Sequence, residues 1–435
     1  MNWKKVIQLA MVHVGVSMTV VPVTSTLNRI MIADMHLSAL LVGLLISLPY
    51  LLSPFQVIVG DWADKRPLWG RHRSPWMVIG GLMASFGSYM TSHTIYWMQA
   101  NFLLGLLAAF VIFTVWGVGV NVASVSYLSL VSEASEENAN WRSRAVSFMW
   151  TAMILSTIAT SIVLSRMLET YNEQALYTAF GVVWLIASLL VLFGSSGIEG
   201  AADPNRAVQN TANNPLTAFR LLLHNQSARR FFFYLLLVLI SIHAQDVLLE
   251  PFGAEALHMP VAQTSRLTSI WGTGVFVTLV GGLWLVRRAG KKRSANLGAL
   301  VTATAFTAII FTGLAANVRL FSMAVFVLGL GGGLMTVSNL SFMLEMTIPE
   351  AAGLYIGAWG VANFAGQALG NIISGLLRDL FYSATGNVLI GYSAVFGMEV
   401  VGLLIAIWLF RTISVEEFRR DAEVRIHDVL ALAGD

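Results

Sequence analysis

The strongest group of side chains that could do chemistry within an apolar segment lies in one stretch, His243-Ala-Gln245-Asp246-Val-Leu-Leu-Glu250-Pro251-Phe-Gly253. Asp246 and Glu250 are four residues apart, so on a helix they share a face, and His243 precedes Asp246 by three residues on that face. Two neighbouring carboxylates repel each other, which favours a shared proton. The spacing therefore indicates a proton-linked or ligand-coordinating site. The competing interpretation is that the helix ends near Pro251 and that both acids lie at its wet outer end, where they cap it or pair with Arg266.

A second polar group lies in the first apolar run and comprises His13, Thr24, Ser25, Thr26, Asn28 and Arg29, with Asp34 following. Ionisable side chains at membrane depth each cost roughly 2.5–3.5 kcal/mol on insertion scales, so they are candidates for binding. Arg29 either reaches an acid in the second half of the chain or extends to the outer surface. His13 either ligates the magnesium of a tetrapyrrole or bonds to a neighbouring helix, which is the commoner role of a lone histidine on an apolar helix.

The elements that position these residues are membrane helices. The chain has 435 residues, of which 56% are hydrophobic and 11% charged, and its mean hydropathy is +0.72. Soluble domains carry roughly 25% charged residues, and a chain this apolar cannot hide its surface in a water-soluble core. The absence of cysteine excludes disulfides, thiolate metal sites and cysteine nucleophiles. No Walker loop, zinc motif or nucleophile elbow stands out, so we assign no catalytic or metal-binding residue.

Apolar runs between charged or turn-rich breaks predict twelve transmembrane helices, because one span needs about 20 mostly apolar residues. Backbone polar groups cannot stay unpaired in lipid, and the runs lack the alternation of barrel strands, so the fold class is an all-α membrane protein. The first run is too long for a cleaved signal and is taken as the first span. The predicted spans are 6–32, 38–60, 75–93, 97–131, 143–165, 174–194, 231–251, 266–287, 295–315, 319–346, 351–377 and 387–411.

The distribution of basic residues predicts the orientation of these spans. If the N-terminus is cytoplasmic, only five of the 26 Lys and Arg residues fall on the outer side: Arg29, Arg166, Arg266, Arg319 and Arg378. Cytoplasmic loops carry the excess of basic residues in membrane proteins. We therefore expect both termini to be cytoplasmic.

The spans divide into an N-terminal six-helix half, 1–194, and a C-terminal six-helix half, 231–411. Residues 195–230 are rich in Gly, Ser, Asn, Asp and Pro and predict a cytoplasmic linker. The tail, 412–435, opens with a capping box at Ser414 and predicts an amphipathic helix, which lies either on the inner membrane surface or packed on the protein. Two similar halves are the usual construction of secondary transporters.

The loop between the second and third spans contains a dense basic cluster with one acid. Its candidate residues are Gly60, Asp64, Arg66, Gly70, Arg71 and Arg73. Topology alone needs only the positive charges. An acid near a helix N-terminus is favoured by the helix dipole, and arginines can bind acids on adjoining loops. The candidate partners are Glu133, Glu136 and Glu137, and we expect the cluster to act as a cytoplasmic latch that holds the two halves together.

This loop resembles the signature loop of the major facilitator transporters, with a three-residue spacer. Three stretches of the chain resemble the PucC/LhaA family, and a further stretch, Ala352–Asp379, extends the likeness. The members of this family are major-facilitator-like proteins of phototrophic bacteria, also described as bacteriochlorophyll delivery proteins. The likeness covers most of the chain, and the stretch from Gln245 to Gly253 is its most specific part. The three stretches are Gly15–Arg29, Leu48–Arg73 and Gln245–Gly253.

The resemblance implies a major-facilitator-like membrane protein that assists the assembly of light-harvesting complexes by delivering or chaperoning bacteriochlorophyll and antenna polypeptides. It implies (bacterio)chlorophyll as a bound cargo and no covalent cofactor. The implied partners are the lipid bilayer, light-harvesting antenna polypeptides and pigment-synthesis proteins, with no nucleic acid. The implied location is the bacterial inner membrane, cytoplasmic or intracytoplasmic photosynthetic, in a multi-pass arrangement.

The alternative function is a proton-coupled secondary transporter of a small solute, favoured by the two-half construction and by the paired acids. An enzyme is the least supported class, because no catalytic constellation assembles. For either leading function, the candidate substrate- or pigment-binding residues are His13, Asn28, Arg29, His243, Gln245, Asp246 and Glu250.

Overall fold

The computed structural model describes residues 3–133, 139–200, 225–347 and 352–424. Within these ranges, helices occupy the positions of all twelve predicted spans. Nine of the described helical segments are long and apolar enough to cross a membrane. The remaining predicted spans correspond to the helices Ser74–Ala100 and Ala352–Thr385 and to a pair of shorter helices. The count of twelve spans stays a prediction.

The described residues form two compact units. The first unit combines those within Met1–Val208 with Asp246–Gly272, and the second combines those within Gln209–Gln245 with Thr273–Asp435. The helices are α1 (Trp3–Met18), α2 (Val20–Pro22), α3 (Ala39–Leu51), α4 (Phe55–Lys65), α5 (Ser74–Ala100), α6 (Phe102–Glu133), α7 (Ala139–Met167), α8 (Glu173–Ser195), α9 (Gln226–His243), α10 (Gln245–Leu257), α11 (Val261–Ala289), α12 (Lys291–Leu314), α13 (Val318–Glu345), α14 (Ala352–Thr385), α15 (Val388–Arg411) and α16 (Val415–Val424).

In the first unit, α5 packs along α6, and α1 packs against α7 and α8. Close approach of α5 and α6 requires glycine at the crossing, because a Cβ atom at Gly80 would lie 2.9 Å from the carbonyl oxygen of Gly119. Small residues let membrane helices approach closely enough for backbone contact. In the second unit, Gly298 of α12 meets Gly331 of α13 in the same way, with a Cβ-to-carbonyl distance of 3.0 Å. In both units, paired glycines thus allow close packing of two helices, α5 with α6 and α12 with α13.

The first span is not one regular helix. It breaks at Thr19 and then widens into two π-helical segments, Val23–Leu27 and Ile30–Asp34. The polar groups released at the break have partners from other helices, since Ser88 donates to the Thr19 carbonyl (2.7 Å) and the Trp116 indole donates to the Thr19 hydroxyl (3.2 Å). Irregular helix inside a membrane is tolerated where neighbouring helices satisfy the freed groups. Single π-turns occur frequently at functional sites.

An aromatic core holds the second unit together. Tyr234 of α9 stacks on Phe410 of α15 at 4.2 Å between ring centroids, and its hydroxyl donates to Asn339 of α13 (2.8 Å). Phe231 contacts the indole of Trp359 on α14 edge-on at 4.9 Å. These rings tie four helices together with large apolar area and satisfied polar ends.

The tail helix α16 begins as predicted, with the Ser414 hydroxyl accepting from the backbone N–H of Glu417 (3.3 Å). Phe418 is fully buried and meets the Tyr355 ring edge-on at 5.3 Å. The Asn225 side chain also donates to the Phe418 carbonyl. The described part of the tail is therefore packed on the protein, which is one of the two predicted arrangements. Residues 425–435 of the tail and 201–224 of the predicted linker lie outside the described residues.

Candidate functional site

The candidate site forms in the first unit around a proline inside α10. Pro251 has no N–H, so the carbonyl of Val247, four residues earlier, has no helix donor. The side-chain amide of Asn28, which lies between the two π-helical segments of the first span, is 3.2 Å from the Val247 oxygen and 3.3 Å from the Asp246 carbonyl oxygen. Asn28 is fully buried. The amide therefore replaces the hydrogen bond that the proline removes.

The same amide reaches the carboxylate of Glu250. Its Nδ2 atom lies 3.4 Å from Oε2, while the Thr268 hydroxyl of α11 donates to Oε1 at 3.0 Å. Glu250 is only 5% exposed. A carboxyl group buried in an apolar helix with a donor on each oxygen can hold a proton or accept a donor group from a ligand.

This geometry corrects the expectation that the seventh span ends near Pro251. Helix α10 continues to Leu257, because Asn28 satisfies the carbonyl that would otherwise be left bare at the proline. Glu250 therefore lies within the helix and not at a wet outer end. Its partners are Asn28 and Thr268, and the predicted pairing with Arg266 is wrong for this carboxylate.

Hydroxyl groups also join the helical segments that carry Asn28 and Thr268. The hydroxyls of Thr26 and Ser265 are 2.8 Å apart. On α7, Ser161 donates to the Ser265 carbonyl and Ser165 donates to the Ala262 carbonyl, each at 2.7 Å. The first span, α7 and the start of α11 are thus joined by short, uncharged hydrogen bonds that are buried or partly buried.

Arg29 is buried but follows neither predicted alternative. It forms an ion pair with Asp34 of its own span, and its Nη2 atom lies 3.5 Å from the Met259 carbonyl oxygen. The π-helical segment explains this pairing, because wider turns align residues about five apart, where a regular helix aligns residues four apart. Arg29 is 7% exposed, so the cation is held inside the unit and does not extend to the surface.

The structure separates the other candidates from this group. His13 is buried in α1 between Tyr127 and Trp150, with ring centroids 5.0 and 6.3 Å away. His243 and Gln245 belong to the second unit, whereas Asp246 and Glu250 belong to the first. Helices α9 and α10 join at Ala244, which keeps helical backbone angles and bonds to the Ile240 carbonyl, so Gln226–Leu257 is one helical segment. The binding roles of all these residues stay predictions.

The predicted latch loop is built around the N-terminus of α5. The Nε atom of Arg73 lies 3.0 Å from Oε1 of Glu133, one of the three expected acids. Glu199, beyond α8, accepts the backbone N–H groups of His72, Arg73 and Ser74 at 2.7–3.0 Å and also the Ser74 hydroxyl at 2.8 Å. Burial alone would raise the pKa of the Glu199 carboxyl, but these hydrogen bonds outweigh burial and lower it. The carboxylate therefore caps the positive end of the helix.

The other latch residues have more ordinary roles. Leu68 and Arg71 exchange both backbone hydrogen bonds across a tight turn, in which Gly70 adopts a φ of 70° that glycine accommodates without strain. Gly60 lies within α4, and the exposed residue Arg66 directly follows the end of that helix. The side chains of Asp64, Glu136 and Glu137 are outside the described part of the structure. The Arg73–Glu133 pair lies within the first unit, so a latch between halves stays a prediction.

Two important residues escaped sequence reasoning. Thr268 lies 18 residues after Glu250, in the following span, and no periodic spacing connects a hydroxyl to an acid at that distance. Glu199 lies in the segment interpreted as a linker. The sequence signal for this cap was Glu199 itself, a single acid just after the glycine-containing end of α8.

Residues 26–418 match the family model described as PUCC protein, a range that covers most of the chain and includes Asn28, Glu250 and Thr268. The chain belongs to the PucC family. Among the relatives, Protein PucC of Cereibacter sphaeroides is 29% identical over 414 residues, covering 91% of this chain and 89% of that protein. A Rhodobacter capsulatus protein named bacteriochlorophyll synthase 44.5 kDa chain is 25% identical over 419 residues, covering 93% of this chain and 94% of that protein.

Solved structures confirm the fold class of this PucC-family chain. A point mutant of the nucleoside transporter NupG superposes with a TM-score of 0.71 and 16% identity, covering 95% of this chain and all of that chain. A POT family transporter in complex with 5-aminolevulinic acid gives a TM-score of 0.72 at 13% identity, covering 94% and 96% of the two chains. At these identities the likeness establishes the major-facilitator-like helical fold and carries no conclusion about substrate.

Proposed function

We propose that this chain is a membrane assembly factor for light-harvesting complexes that delivers or chaperones bacteriochlorophyll and antenna polypeptides. The observation that carries the proposal is the family match over residues 26–418, together with relatives named PucC that align over nearly their whole length. The name of a further relative, bacteriochlorophyll synthase 44.5 kDa chain, supports a connection with that pigment.

We further propose a membrane location and a set of partners for the chain. We place the chain in the inner or intracytoplasmic photosynthetic membrane of a bacterium, with both termini in the cytoplasm, because 21 of the 26 basic residues then fall on the inner side. The proposed partners are antenna polypeptides and pigment-synthesis proteins, and the proposed cargo is (bacterio)chlorophyll. We propose no catalytic step for the chain, since family and fold point to a non-enzymatic membrane protein.

Gene deletion in the phototrophic host tests the proposal directly. We expect the near-infrared absorbance of the antenna to fall in the deletion strain and to return with the wild-type gene. A Lys291→Gln variant serves as a control, because it alters only a half-exposed ion pair with Glu345 and should complement fully. Antenna absorbance that is unchanged by deletion, under conditions that induce the antenna, would overturn the proposed function.

One observation favours a second candidate, proton-coupled transport of a small solute. Glu250 is a buried carboxyl group in a membrane helix, with hydrogen-bond donors from two other helical segments. Intramembrane ionisable groups of this kind mark proton relays in transporters.

Proteoliposomes test this second candidate. With the wild-type protein, we expect an imposed proton gradient to drive uptake of a solute, and Glu250→Gln should abolish gradient-driven uptake while leaving exchange across the membrane. Proton fluxes that are identical in wild-type, Glu250→Gln and protein-free vesicles, across a panel of solutes, would count against transport.

A further inference from the structure

An aromatic strip runs along the contact between α5 and α8 in the first unit. Its four members on α5 are spaced by three, four and four residues, and its two members on α8 are seven apart, so each set lies on one helix face. The strip consists of Phe86, Tyr89, His93 and Trp97 on α5 and Tyr177 and Trp184 on α8.

The rings of the strip stack on one another across the two helices. His93 lies flat on Tyr177, with centroids 4.1 Å apart and planes inclined by 8°. Tyr89 stacks on Trp184 at 5.3 Å and 19°. Phe86 is 48% exposed and Trp184 37% exposed, so the strip presents aromatic faces and edges on the outside of the unit.

The strip extends deeper than an interfacial aromatic belt. Tryptophan and tyrosine are enriched where helices reach the headgroups. Phe86, however, precedes the helix end at Ala100 by a length of about 20 Å, and Trp184 follows the helix start at Glu173 by about 17 Å, at 1.5 Å per residue. Exposed side chains of α8 outside the strip include the aliphatic Leu185, Leu189 and Leu192, and one further aromatic, Phe193, near the C-terminal end of the helix. Anchoring at the membrane surface therefore does not explain the inner part of the strip.

The hydrogen bonds around His93 favour one tautomer of its ring. The hydroxyl of Ser92 donates its only proton to the carbonyl of Tyr89 at 2.7 Å. While that proton points to the carbonyl, the hydroxyl oxygen accepts from His93, whose Nδ1 atom lies 3.3 Å away. Nδ1 then carries the proton, and Nε2 keeps the lone pair that a metal ion binds. Histidines that ligate metals commonly have the other ring nitrogen held in this way.

We propose that this strip binds a magnesium tetrapyrrole from the lipid side, with His93 Nε2 as the axial ligand of the magnesium and the rings of Tyr177, Tyr89 and Trp184 packing against the macrocycle. A planar, apolar macrocycle suits stacked aromatic rings, which prefer offset and edge-on contacts. The open position of its metal suits a neutral imidazole. The choice of this pigment class rests on the proposed function, while the location follows from the geometry of α5 and α8.

Pigment titration of the full-length protein in lipid nanodiscs tests the site. The probes are bacteriochlorophyll a and its magnesium-free counterpart, bacteriopheophytin a. We expect saturable binding of bacteriochlorophyll a with a near-infrared shift and quenched tryptophan fluorescence. His93→Leu should weaken that binding at least tenfold and leave binding of bacteriopheophytin a within twofold, because the metal-free pigment cannot use the imidazole.

Two further variants separate the ligand from the platform. His36→Gln removes an exposed histidine outside the strip and should bind both pigments like the wild type. Trp184→Leu should weaken both pigments alike, since its ring packs on Tyr89 and Phe86 and its contact with the macrocycle does not depend on the metal. Equal affinity of wild type and His93→Leu for bacteriochlorophyll a would overturn the proposal, as would the absence of saturable binding to the wild type. If His93→Leu fails to fold, His93→Gln and the wild-type preference for the magnesium pigment decide the question.

Failure of this site is distinguishable from failure of the proposed function. If the deletion strain loses its antenna but the His93→Leu protein binds bacteriochlorophyll a normally, the His93 site is ruled out and the proposed function stands. A deletion strain with a normal antenna removes the function, even where pigment binding in nanodiscs depends on His93.

Discussion

Pro251 and Pro49 lie inside helices of the first unit, and each is accompanied by a buried asparagine. At Pro251 of α10, the Asn28 amide donates to the carbonyl that the proline leaves without a helix donor. At Pro49 of α3, the Asn121 amide donates to the carbonyl of the proline itself, at 2.8 Å, close to where the helix ends at Leu51. Both amides satisfy backbone that would otherwise be bare in the membrane.

The two sites differ in what else the amide touches. The Asn121 side chain also accepts from the amide of Gln56, so its surroundings are neutral. The Asn28 side chain faces the carboxylate of Glu250, so its surroundings can change charge. The same solution to a missing backbone hydrogen bond is thus purely structural at Pro49 and is coupled to an ionisable group at Pro251. This difference identifies the second site as the functional candidate.

Asn121→Ala should have the largest effect on stability. It removes the donor to the Pro49 carbonyl and the acceptor for Gln56, and leaves buried polar groups unpaired. We expect a loss of about 3 kcal/mol in the free energy of unfolding, since each unsatisfied buried group costs about 1–3 kcal/mol. Pro49→Ala should not restore it, because the N–H gained at position 49 points to the carbonyl of Leu45 and not to the one that Asn121 serves. Denaturant unfolding in detergent measures the stability of Asn121→Ala with and without Pro49→Ala. If Pro49→Ala restored the lost stability, the Pro49 and Pro251 sites would be alike.

Sequence reasoning found both the acid and the amide of the candidate site but not their contact. The helical spacing identified Asp246 and Glu250, and the polar run in an apolar span identified Asn28. The contact between Asn28 and the α10 backbone depends on the π-helical widening of the first span, which no periodic pattern of the sequence predicts. Proline was interpreted as the end of a helix, because a local rule cannot include a hydrogen-bond donor from another span. Span positions were predictable, since hydropathy alone determines them.

Asn28→Ala should destabilise the protein by about 2 kcal/mol, because the Val247 carbonyl is left without a donor. Here Pro251→Ala should restore much of the loss, since the alanine supplies the missing N–H within the helix. A double-mutant cycle in the same unfolding assay should give a coupling of about 1 kcal/mol between the two positions. A coupling near zero would mean that Asn28 does not serve the carbonyl freed by the proline.

Glu199→Gln tests how a carboxylate that caps backbone N–H groups behaves outside the bilayer. The change should cost about 1 kcal/mol at neutral pH, the usual value of a helix cap. The hydrogen bonds to His72, Arg73 and Ser74 lower the pKa of Glu199 despite its burial, so its contribution is complete above the usual Glu pKa of about 4.3 and is lost as the pH falls through the lower pKa of the folded state.

Unfolding midpoints of wild type and Glu199→Gln should therefore converge as the pH falls below about 4 and separate above it. Ser74→Ala is the matched control, because it removes only the hydroxyl bond to the same carboxylate and keeps the charge. Its difference from the wild type should follow the same pH profile at smaller amplitude. A difference between wild type and Glu199→Gln that is constant across this range would show that the charge on the cap contributes nothing.

Glu250→Gln should change stability least, by less than about 1 kcal/mol, because the amide oxygen can still accept the Thr268 hydroxyl and the shape of the site is preserved. Glu250→Gln removes the charge at the Pro251 site and keeps the shape of that site, so it separates the effect of charge from the effect of structure. If the carboxylate is functional, antenna assembly or proton-driven uptake should fall severalfold in a variant that unfolds like the wild type. Glu250→Leu should behave differently, since it also removes the acceptors of Asn28 and Thr268 and should lower stability measurably. Full activity in a normally folded Glu250→Gln protein would place both proline sites in the same, purely structural class.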